Sequence, residues 1–241
     1  GIDISLFKSS LTLSADYYIS NTTDLLFSQP LPISSGNYAN YETYNPTING
    51  GEIRNRGFEF TLGYQQVKKD LSYGLTANFG ANRGKVIDLN GEDFGDASGI
   101  VVGKPMYSYY GYKSLGVIKD QATLDNYPQK DGSVLGDLWI ADINGYDDNG
   151  NLTGKPDGVV DDADRTFIGK PAPDFTYGLV GNVTYKRFSL QFSLMGVNGL
   201  DLNTQGPTMN YFFYPQNNST RILGRWHAVK NPDGNLPRVT K

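Results

Sequence analysis

The segment "DINGYDDNGNLTGKPDGVVDDADR", residues Asp142 to Arg165, holds the densest group of carboxylates in the chain. Residues 137–164 contain eight Asp and one basic residue, Lys155, so their net charge is −7. Because the whole chain has a net charge of −4, the rest of the chain carries +3. Asp, Asn and Gly at this density oppose both a buried strand and a stable helix. The segment is a metal site, a catalytic cluster or a solvated loop.

Composition limits the class of protein and of partner. The 241 residues, of which 38% are hydrophobic and 29 are Gly, suffice for one large β-rich unit or two small domains. The absence of Cys excludes disulfides and thiolate metal sites. No basic stripe is present, so we expect no nucleic-acid partner. No apolar run reaches the roughly 18 residues of a membrane helix, so a membrane role would require a β-barrel.

Period-two alternation of apolar and polar residues predicts six strands and almost no helix. In "LSYGLTANFGAN", every second residue from Leu71 to Ala81 is apolar, and the residues between them are polar or small. The same alternation occurs in "GIDISLF", "LTLSADYYIS", "FEFTLGYQ", "FTYGLVGNVTYK" and "FSLQFSL". Each predicted strand therefore has one apolar and one polar face.

Short and long connections alternate between these strands. Tight turns are predicted at residues 8–10, 68–70 and 186–187, and long connections at 23–53, at 83–174 and from 198 onward. Compact domains usually connect elements in about four to six residues, whereas transmembrane barrels combine tight periplasmic turns with long extracellular loops. We therefore expect an all-β chain in which residues 1–241 form part of an antiparallel up-and-down transmembrane β-barrel, with 83–174 as a long extracellular loop.

Aromatic residues at both ends of the apolar face favour the barrel. The separation from Phe58 to Tyr64 is about 20 Å at the rise of a strand, close to the ~25 Å band between aromatic girdles. Six strands are fewer than the roughly eight of the smallest membrane barrel, so we expect a segment of a larger one. The alternative is a soluble antiparallel sheet with these aromatic residues in its core. The two predicted girdles are Tyr64, Tyr73, Tyr185 and Phe188 beside the tight turns, and Phe58, Phe79 and Phe175 at the far end.

Three stretches resemble the late barrel of SusC/RagA-type TonB-dependent outer-membrane transporters. They are "NRGFEFTLGYQ", "VGKPMYSYYGYKSLGVI", and the run that begins with "GDLWIADING" and continues through "PDGVVDDADRTFIGKPAPDFTYGLVGNVTYKRFSLQFSLMGVNG". The resemblance spans nearly the whole chain and is most specific over residues 157–199.

This resemblance implies a plugged barrel of about 22 strands in the outer membrane of a Gram-negative-type bacterium. It also implies import of oligosaccharides or peptides, with a SusD-like surface lipoprotein as lid and TonB acting through an N-terminal plug. We expect the plug, the TonB box, the signal sequence and the last strands to lie outside this chain. The alternative function is a soluble β-rich, calcium-stabilised carbohydrate-binding module.

A structural Ca²⁺ ion is the cofactor that the resemblance suggests. Members of the family tend to carry a compact D-x-N-G-D-G-x-x-x-x-x-D run, similar to Ca²⁺ loops with oxygen ligands at positions 1, 3, 5, 7, 9 and 12. Here residues 146–156 interrupt the run and would have to loop away, while Asp162 would point elsewhere, towards Arg165. The alternative is a solvated acidic loop. The corresponding ligands are Asp142, Asn144, Asp157, the Val159 carbonyl, Asp161 and Asp164, with Gly158 supplying the turn.

The tract "YSYYGY" supplies candidate substrate-binding residues. Its tyrosines could stack on sugar rings, or they could pack the long loop against its own barrel. We expect no catalytic residues, because His227 is the only histidine and no nucleophile motif accompanies it. Glu59 is expected to face a wet barrel lumen rather than to serve in a glycosidase carboxylate pair. The four tyrosines are Tyr107, Tyr109, Tyr110 and Tyr112.

Overall fold

The computed structural model describes residues 1–28, 34, 38–39, 42–43, 46–203 and 220–238. Within these ranges, helix α1 spans Gln121–Asn126, and 3-10 turns lie at Asp96–Ser98, Asp162–Asp164 and Thr220–Gly224. The strands are β1 (Ile2–Leu6), β2 (Leu11–Thr22), β3 (Leu26–Ser28), β4 (Tyr38–Ala39), β5 (Glu42–Thr43), β6 (Thr47–Asn49), β7 (Glu52–Lys68), β8 (Leu71–Asp88), β9 (Tyr109–Tyr112), β10 (Ser114–Val117), β11 (Leu138–Ile140), β12 (Arg165–Gly169), β13 (Phe175–Tyr185) and β14 (Phe188–Asn198).

Six strands form the largest sheet of the described residues, in the order β1-β2-β7-β8-β13-β14. Every neighbouring pair is antiparallel. The chain runs up and down through this sheet, leaving it only through the long connections, which contain the other strands. The predicted six strands, their antiparallel order and the near absence of helix are confirmed.

The tight turns all lie at one end of the sheet. The backbone N–H of Gln65, at the end of β7, donates to the carbonyl of Ser10 (2.8 Å), and the N–H of Lys186 donates to the carbonyl of Asp70 (2.9 Å). The predicted tight turns therefore bring five basic residues together at this end, and the long connections leave the strands at the opposite end. The clustered residues are Lys8, Lys68, Lys69, Lys186 and Arg187.

Strands β7 and β8 are longer than the alternation predicts. The prediction that the strand ends before Arg83 is wrong, because β8 continues to Asp88 and its last residues pair with the first residues of β7. Arg83 lies opposite Arg56, and Lys85 lies opposite Arg54. Backbone hydrogen bonds hold this extension, and they form whatever the side chains are. The paired strands therefore continue beyond the last residue of the apolar-polar alternation.

The apolar face of the sheet is not a dry core. Leu75 is 45% exposed and Phe192 is 44% exposed, while Phe60 and Leu179 are partly covered, directly opposite Phe79 and Ala77 of the same face. A soluble sandwich would interdigitate these residues with a second sheet. The alternative of a soluble module is therefore not supported by the structure of this face.

Aromatic clusters mark both ends of the apolar face, at the predicted positions. Near the tight turns, the ring centroids of Tyr64 and Tyr73 lie 6.0 Å apart. At the far end, Phe79 and Phe175 stack at 5.5 Å. These clusters bound the apolar band as the interfacial girdles of a membrane barrel do.

The far end of the polar face is covered by the chain's own connections. Phe27, Val86 and Leu89 form a small buried core, and parts of the two long connections pack against it through Ile48, Phe94, Ile100 and Met106. Val86 is fully buried because it points to the polar face at the place where the loops fold over the strand ends. This unit comprises Gly1–Tyr109 and Gly169–Leu202.

Residues Tyr110–Ile168 and Asn203–Lys241 form a second unit. Its described part contains two small sheets, β10-β11 and β12-β9, together with helix α1. Ile118 and Ala163 are buried in its interior, and an ion pair between Arg238 and Asp137 (2.7 Å) joins its distant chain segments. The long connection is thus largely folded, although its predicted role as an extracellular loop over residues 83–174 stays a prediction.

Throughout the part of the chain that the structure describes, no helix has both the length and the apolar character needed to cross a membrane.

A charge on the apolar face tests the assignment of the two faces. We expect Leu75→Arg to destabilise the full-length barrel protein by about 2–4 kcal/mol if position 75 lies near the bilayer midplane, because the guanidinium would face lipid. Thr76→Arg, on the next residue and the opposite face, should cost much less. Urea unfolding from liposomes measures both costs, and equal costs for the two variants would contradict the assignment.

Candidate functional site

A cavity of about 520 Å³ lies on the polar face, at the end of the sheet away from the tight turns. Its floor is the polar face of four strands, and its roof comes from the two chain segments that follow β8 and precede β13. All of its described lining belongs to the unit that contains the large sheet. The lining comprises Tyr18, Ile53, Asn55, Glu59, Gly80, Ala81, Asn82, Gly84, Pro105, Met106, Ala172, Pro173, Phe175 and Thr176.

Glycines shape the floor of the cavity by allowing polar side chains to lie flat across the sheet. Gly57 lies under the ring of Tyr18, which a Cβ at this position would meet at 2.1 Å. A Cβ on Gly84 would meet the Oδ1 of Asn55 at 2.5 Å. Replacing either glycine would push these polar groups off the sheet and into the cavity.

Two similar tripeptides hold the roof. In the first, Gly103-Lys104-Pro105, the N–H of Gly103 donates to the carbonyl of Val86 (2.8 Å), and the N–H of Val86 donates to the carbonyl of Lys104 (2.9 Å). In the second, Gly169-Lys170-Pro171, the N–H of Lys170 donates to the carboxylate of Asp201 (3.0 Å). The Pro that ends the first and the Ala172-Pro173 pair that follows the second thus come to lie over the strand ends.

Glu59 is the charged residue among the described lining residues. None of the ion pairs in the described ranges includes it, and its side chain is exposed on the polar face. The amides of Asn55 and Asn82 supply hydrogen-bond donors and acceptors beside it. A carboxylate, two amides and a Tyr hydroxyl around apolar Pro and Met surfaces suit a neutral or cationic ligand rich in hydroxyl or amide groups.

One ion pair lies beside the roof. The Lys170 ammonium and the Asp174 carboxylate are 2.5 Å apart. This hydrogen bond lowers the pKa of Asp174 below its ordinary value, and the more distant Arg83 acts in the same direction. Asp174 therefore stays ionised, and the pair holds the segment that contains Ala172 and Pro173.

In the second unit, the acidic segment is organised around Asp164. This carboxylate is fully buried, and its Oδ1 accepts hydrogen bonds from the N–H groups of Ile143 (2.7 Å) and Asn144 (3.1 Å). Its Oδ2 accepts from the N–H of Asp161 (2.9 Å), whose own carboxylate caps Ala163 (2.8 Å). Backbone N–H groups thus compensate the buried charge, as they do at helix N-termini.

The other acidic residues also turn towards the backbone. The Asp142 carboxylate accepts from the N–H groups of Asp157 (3.3 Å) and Gly158 (2.8 Å). Between these contacts, residues 146–152 form a small hairpin with a bridge between Tyr146 and Leu152, and the N–H of Gly154 donates to Asn144 Oδ1 (2.6 Å). Within this hairpin, hydrogen bonds from Asn151 lower the pKa of Asp147.

The predicted calcium ligands are neighbours in this network but do not form a metal-binding group. Among the described residues, no three Asp, Glu or His side chains are placed to hold a metal ion. Asn144 Oδ1 accepts from the N–H groups of Gly145 and Gly154, Asp157 accepts from Val159, and the Val159 side chain is exposed. This arrangement does not fit a Ca²⁺ site, because the oxygen atoms are directed at N–H groups, and binding of the ion would require them to turn away from these groups.

Asp162 behaves as expected. Its carboxylate lies 2.9 Å from the Arg165 guanidinium and accepts a hydrogen bond from the Tyr112 hydroxyl (2.8 Å). The rings of two tyrosines of the tract are also engaged within the second unit, since Lys130 and Arg165 lie over Tyr112, and Tyr110 contacts Phe167 at 5.2 Å.

Tyr107 and Tyr109 differ from their two neighbours in the tract. Tyr107 is 59% exposed with a left-handed φ of 60°, and Tyr109 is partly buried. The role of all four tyrosines in substrate binding stays a prediction. His227 lies in a local turn, in which its Nδ1 accepts from the N–H groups of Val229 and Lys230.

Sequence reasoning placed Glu59 on a wet face but missed the cavity around it. Asn82 is the last residue of the alternation in its strand, Asn55 precedes the alternation in its own, and the roof residues lie in connections to which no strand pattern applies. A signal was present, since the tripeptide Gly-Lys-Pro occurs at 103–105 and again at 169–171. A rigid tripeptide that is repeated near the ends of neighbouring strands indicates two segments with similar backbone structure and position.

Known proteins similar to this chain are receptors and transporters of one kind. The TonB-dependent receptor P3 of Formosa agariphila is 33% identical over 258 residues, which cover 99% of this chain and 23% of that protein. The TonB-dependent receptor SusC of Bacteroides thetaiotaomicron is 27% identical over 203 residues, 80% of this chain and 18% of that protein. No family model matches the chain.

The fold also occurs in a solved transporter structure. The solved structure of the RagAB peptide transporter superposes with a TM-score of 0.66 at 21% sequence identity, covering 98% of this chain and 25% of that one. The chain thus spans about a quarter of the proteins it matches. The predicted resemblance to SusC/RagA-type TonB-dependent transporters, the barrel fold and the location in the outer membrane of a Gram-negative-type bacterium are confirmed.

The role of Asp164 can be tested by Asp164→Asn. The amide would turn N–H donors towards backbone N–H groups, and we expect local opening of the acidic segment to become easier by about 1–3 kcal/mol. Hydrogen exchange of the amides of Ile143, Asn144 and Asp161 in the full-length protein measures this change. Asp162→Asn is the control, because that side chain is 71% exposed and its ion pair contributes only about 0–1 kcal/mol. Equal effects would refute the central role of Asp164.

Calcium binding is tested by titration of the chelator-treated protein in a calorimeter. Since the carboxylates already accept backbone hydrogen bonds, we expect no heat and no change in hydrogen exchange of residues 142–165 on chelation. Heat of binding that Asp157→Ala abolishes would instead establish the predicted Ca²⁺ site and refute this expectation.

Proposed function

We propose that this chain, whose relatives are TonB-dependent receptors, forms part of the wall and outer mouth of an outer-membrane importer of oligosaccharides or peptides. The observation that carries the proposal is the sheet with an exposed apolar face and a cavity on its polar face. A barrel wall needs the first, because lipid surrounds it, and a passage that selects its cargo needs the second.

The chemistry of the cavity supports this choice of cargo. Asn55, Asn82 and the hydroxyl of Tyr18 offer hydrogen-bond donors and acceptors, while Pro105 and Met106 offer apolar surface. Oligosaccharides and peptides both present hydroxyl or amide groups beside apolar patches. No role in catalysis is proposed, since the relatives are named as receptors and transporters.

We further propose that the full-length protein works with a SusD-like surface lipoprotein and draws energy from TonB. The similarity to SusC and to the RagAB peptide transporter supports the first partner. The names of the TonB-dependent receptors support the second. Co-purification of a lipoprotein with the tagged receptor from outer membranes tests the partnership, and a receptor that purifies alone under gentle extraction would contradict it.

Transport through the cavity is tested by filling it. We expect Gly80→Phe in the full-length receptor to lower the uptake of its labelled cargo by cells, because the new ring would occupy the space between Glu59 and Thr176. A Cβ at Gly80 meets Thr176 Oγ1 at an ordinary 3.4 Å, so the strand itself should tolerate the change. Labelled oligosaccharide and oligopeptide mixtures, offered separately, identify the cargo class.

Ala77→Phe is the matched control, since Ala77 lies three residues away on the apolar face, opposite Leu62 and Leu179. Its uptake should equal that of the unmodified receptor. Equal uptake by both variants, with equal amounts of folded receptor in the outer membrane, would show that cargo does not pass this cavity.

A further inference from the structure

The outward face of the sheet changes from apolar to basic just beyond its far aromatic girdle. Beyond Phe58, the next residue of β7 on this face is Arg56, which lies directly opposite Arg83. The one after it, Arg54, lies directly opposite Lys85. Since residues paired across strands share a face, all four cations project to the same side as the apolar band. We name Arg54, Arg56, Arg83 and Lys85 the basic patch.

The basic patch is electrostatically unfavourable as it stands. Like charges placed directly opposite each other destabilise a strand pair, and here two such pairs are adjacent. Of the ion pairs in the described residues, only that of Arg54 with Glu52 (3.3 Å) involves the patch. The four cations and this one carboxylate therefore have a net charge of +3. Asp174 feels the charge of Arg83 but is already paired with Lys170.

The side chains of the patch are accessible. Arg56, Arg83 and Lys85 are exposed, whereas Arg54 also donates to Asn21 (2.8 Å) and is fixed in place. Asn55 and Gly84, which alternate with the patch along the strands, point to the other face and line the cavity. Cargo in the lumen therefore does not meet these cations, and their partner must lie outside the barrel wall.

The depth of the patch indicates what that partner is. Arg56 is two residues beyond Phe58, or about 7 Å along the strand, and Arg54 is about 14 Å beyond it. These distances place the patch at the level of lipid headgroups next to the apolar band. Because tight turns lie on the periplasmic side of such barrels, the patch faces the outer leaflet, which in Gram-negative bacteria consists of phosphorylated glycolipid.

We propose that the basic patch binds the phosphate groups of the outer-leaflet glycolipid. Arg binds phosphate in a bidentate geometry and Lys binds it as a point charge, so three Arg and one Lys in a square match a doubly charged headgroup. The bound phosphate compensates the repulsion between the paired strands. The inference depends on the barrel fold and its orientation in the membrane, and it is independent of what the barrel transports.

The experiment compares lipid retention by full-length receptors extracted from outer membranes. The test variant is Arg56→Gln/Arg83→Gln. The matched control is Lys68→Gln/Lys69→Gln, which removes two charges at the tight-turn end. Native mass spectrometry counts the glycolipid molecules that remain bound, and the heat-modifiable gel shift of an intact barrel confirms folding of each variant.

We expect the unmodified receptor and the control to retain glycolipid, and the test variant to lose about tenfold or more in occupancy, as expected when two contacts to an anionic headgroup are removed. Glycolipid whose phosphates have been removed by phosphatase should bind no better to the unmodified receptor than to the variant. Cargo uptake should be the same for all, because the patch lies outside the lumen.

Three outcomes would overturn the proposal. Equal retention by the test variant and the control would show that the patch does not hold lipid. Full displacement of glycolipid by excess inorganic phosphate would indicate a site for free phosphate. Unchanged lipid retention, combined with loss of a co-purifying protein from the test variant, would indicate a protein partner at the patch.

Discussion

The structure depends on one constraint, that every backbone N–H and C=O group of a membrane-spanning strand must find a partner in a neighbouring strand. The continuous antiparallel register from β1 to β14 meets this constraint for the strands inside the sheet. The two outermost strands each have one unpaired edge within the described residues. In a bilayer these edges require further strands, in keeping with relatives about four times as long as this chain.

Because the strands are joined by backbone hydrogen bonds, their side chains can suit lipid on one face and water on the other. The outward face is apolar between its girdles, where lipid is expected, and the polar face carries glycines beneath Tyr18 and Asn55, which keep space open for cargo. The same freedom allows β7 and β8 to extend beyond the apolar band with Arg opposite Arg. The extension therefore carries the basic patch on its outward face and contributes to the cavity on its polar face.

The strands were predictable because period two is a local property that a membrane face imposes on every residue pair. The structure of the acidic segment was less predictable, because Asp164 accepts hydrogen bonds from Ile143 and Asn144, some twenty residues away. Composition cannot distinguish carboxylates that accept hydrogen bonds from N–H groups from carboxylates that bind a cation. The end of β8 was misplaced because Arg83 breaks the apolar pattern without breaking the ladder. The cavity roof depends on how two Gly-Lys-Pro segments return to the sheet, which no local pattern encodes.

One face of the sheet meets lipid and the other meets water. Spin labels on single cysteines, introduced from position 75 to position 80 of the full-length protein in a bilayer, distinguish the two environments. We expect labels at Leu75, Ala77 and Phe79 to be accessible to oxygen, which dissolves in lipid. Labels at Thr76, Asn78 and Gly80 should be accessible to a water-soluble relaxation agent. Equal accessibility of both sets to the water-soluble agent would contradict this assignment of the two faces.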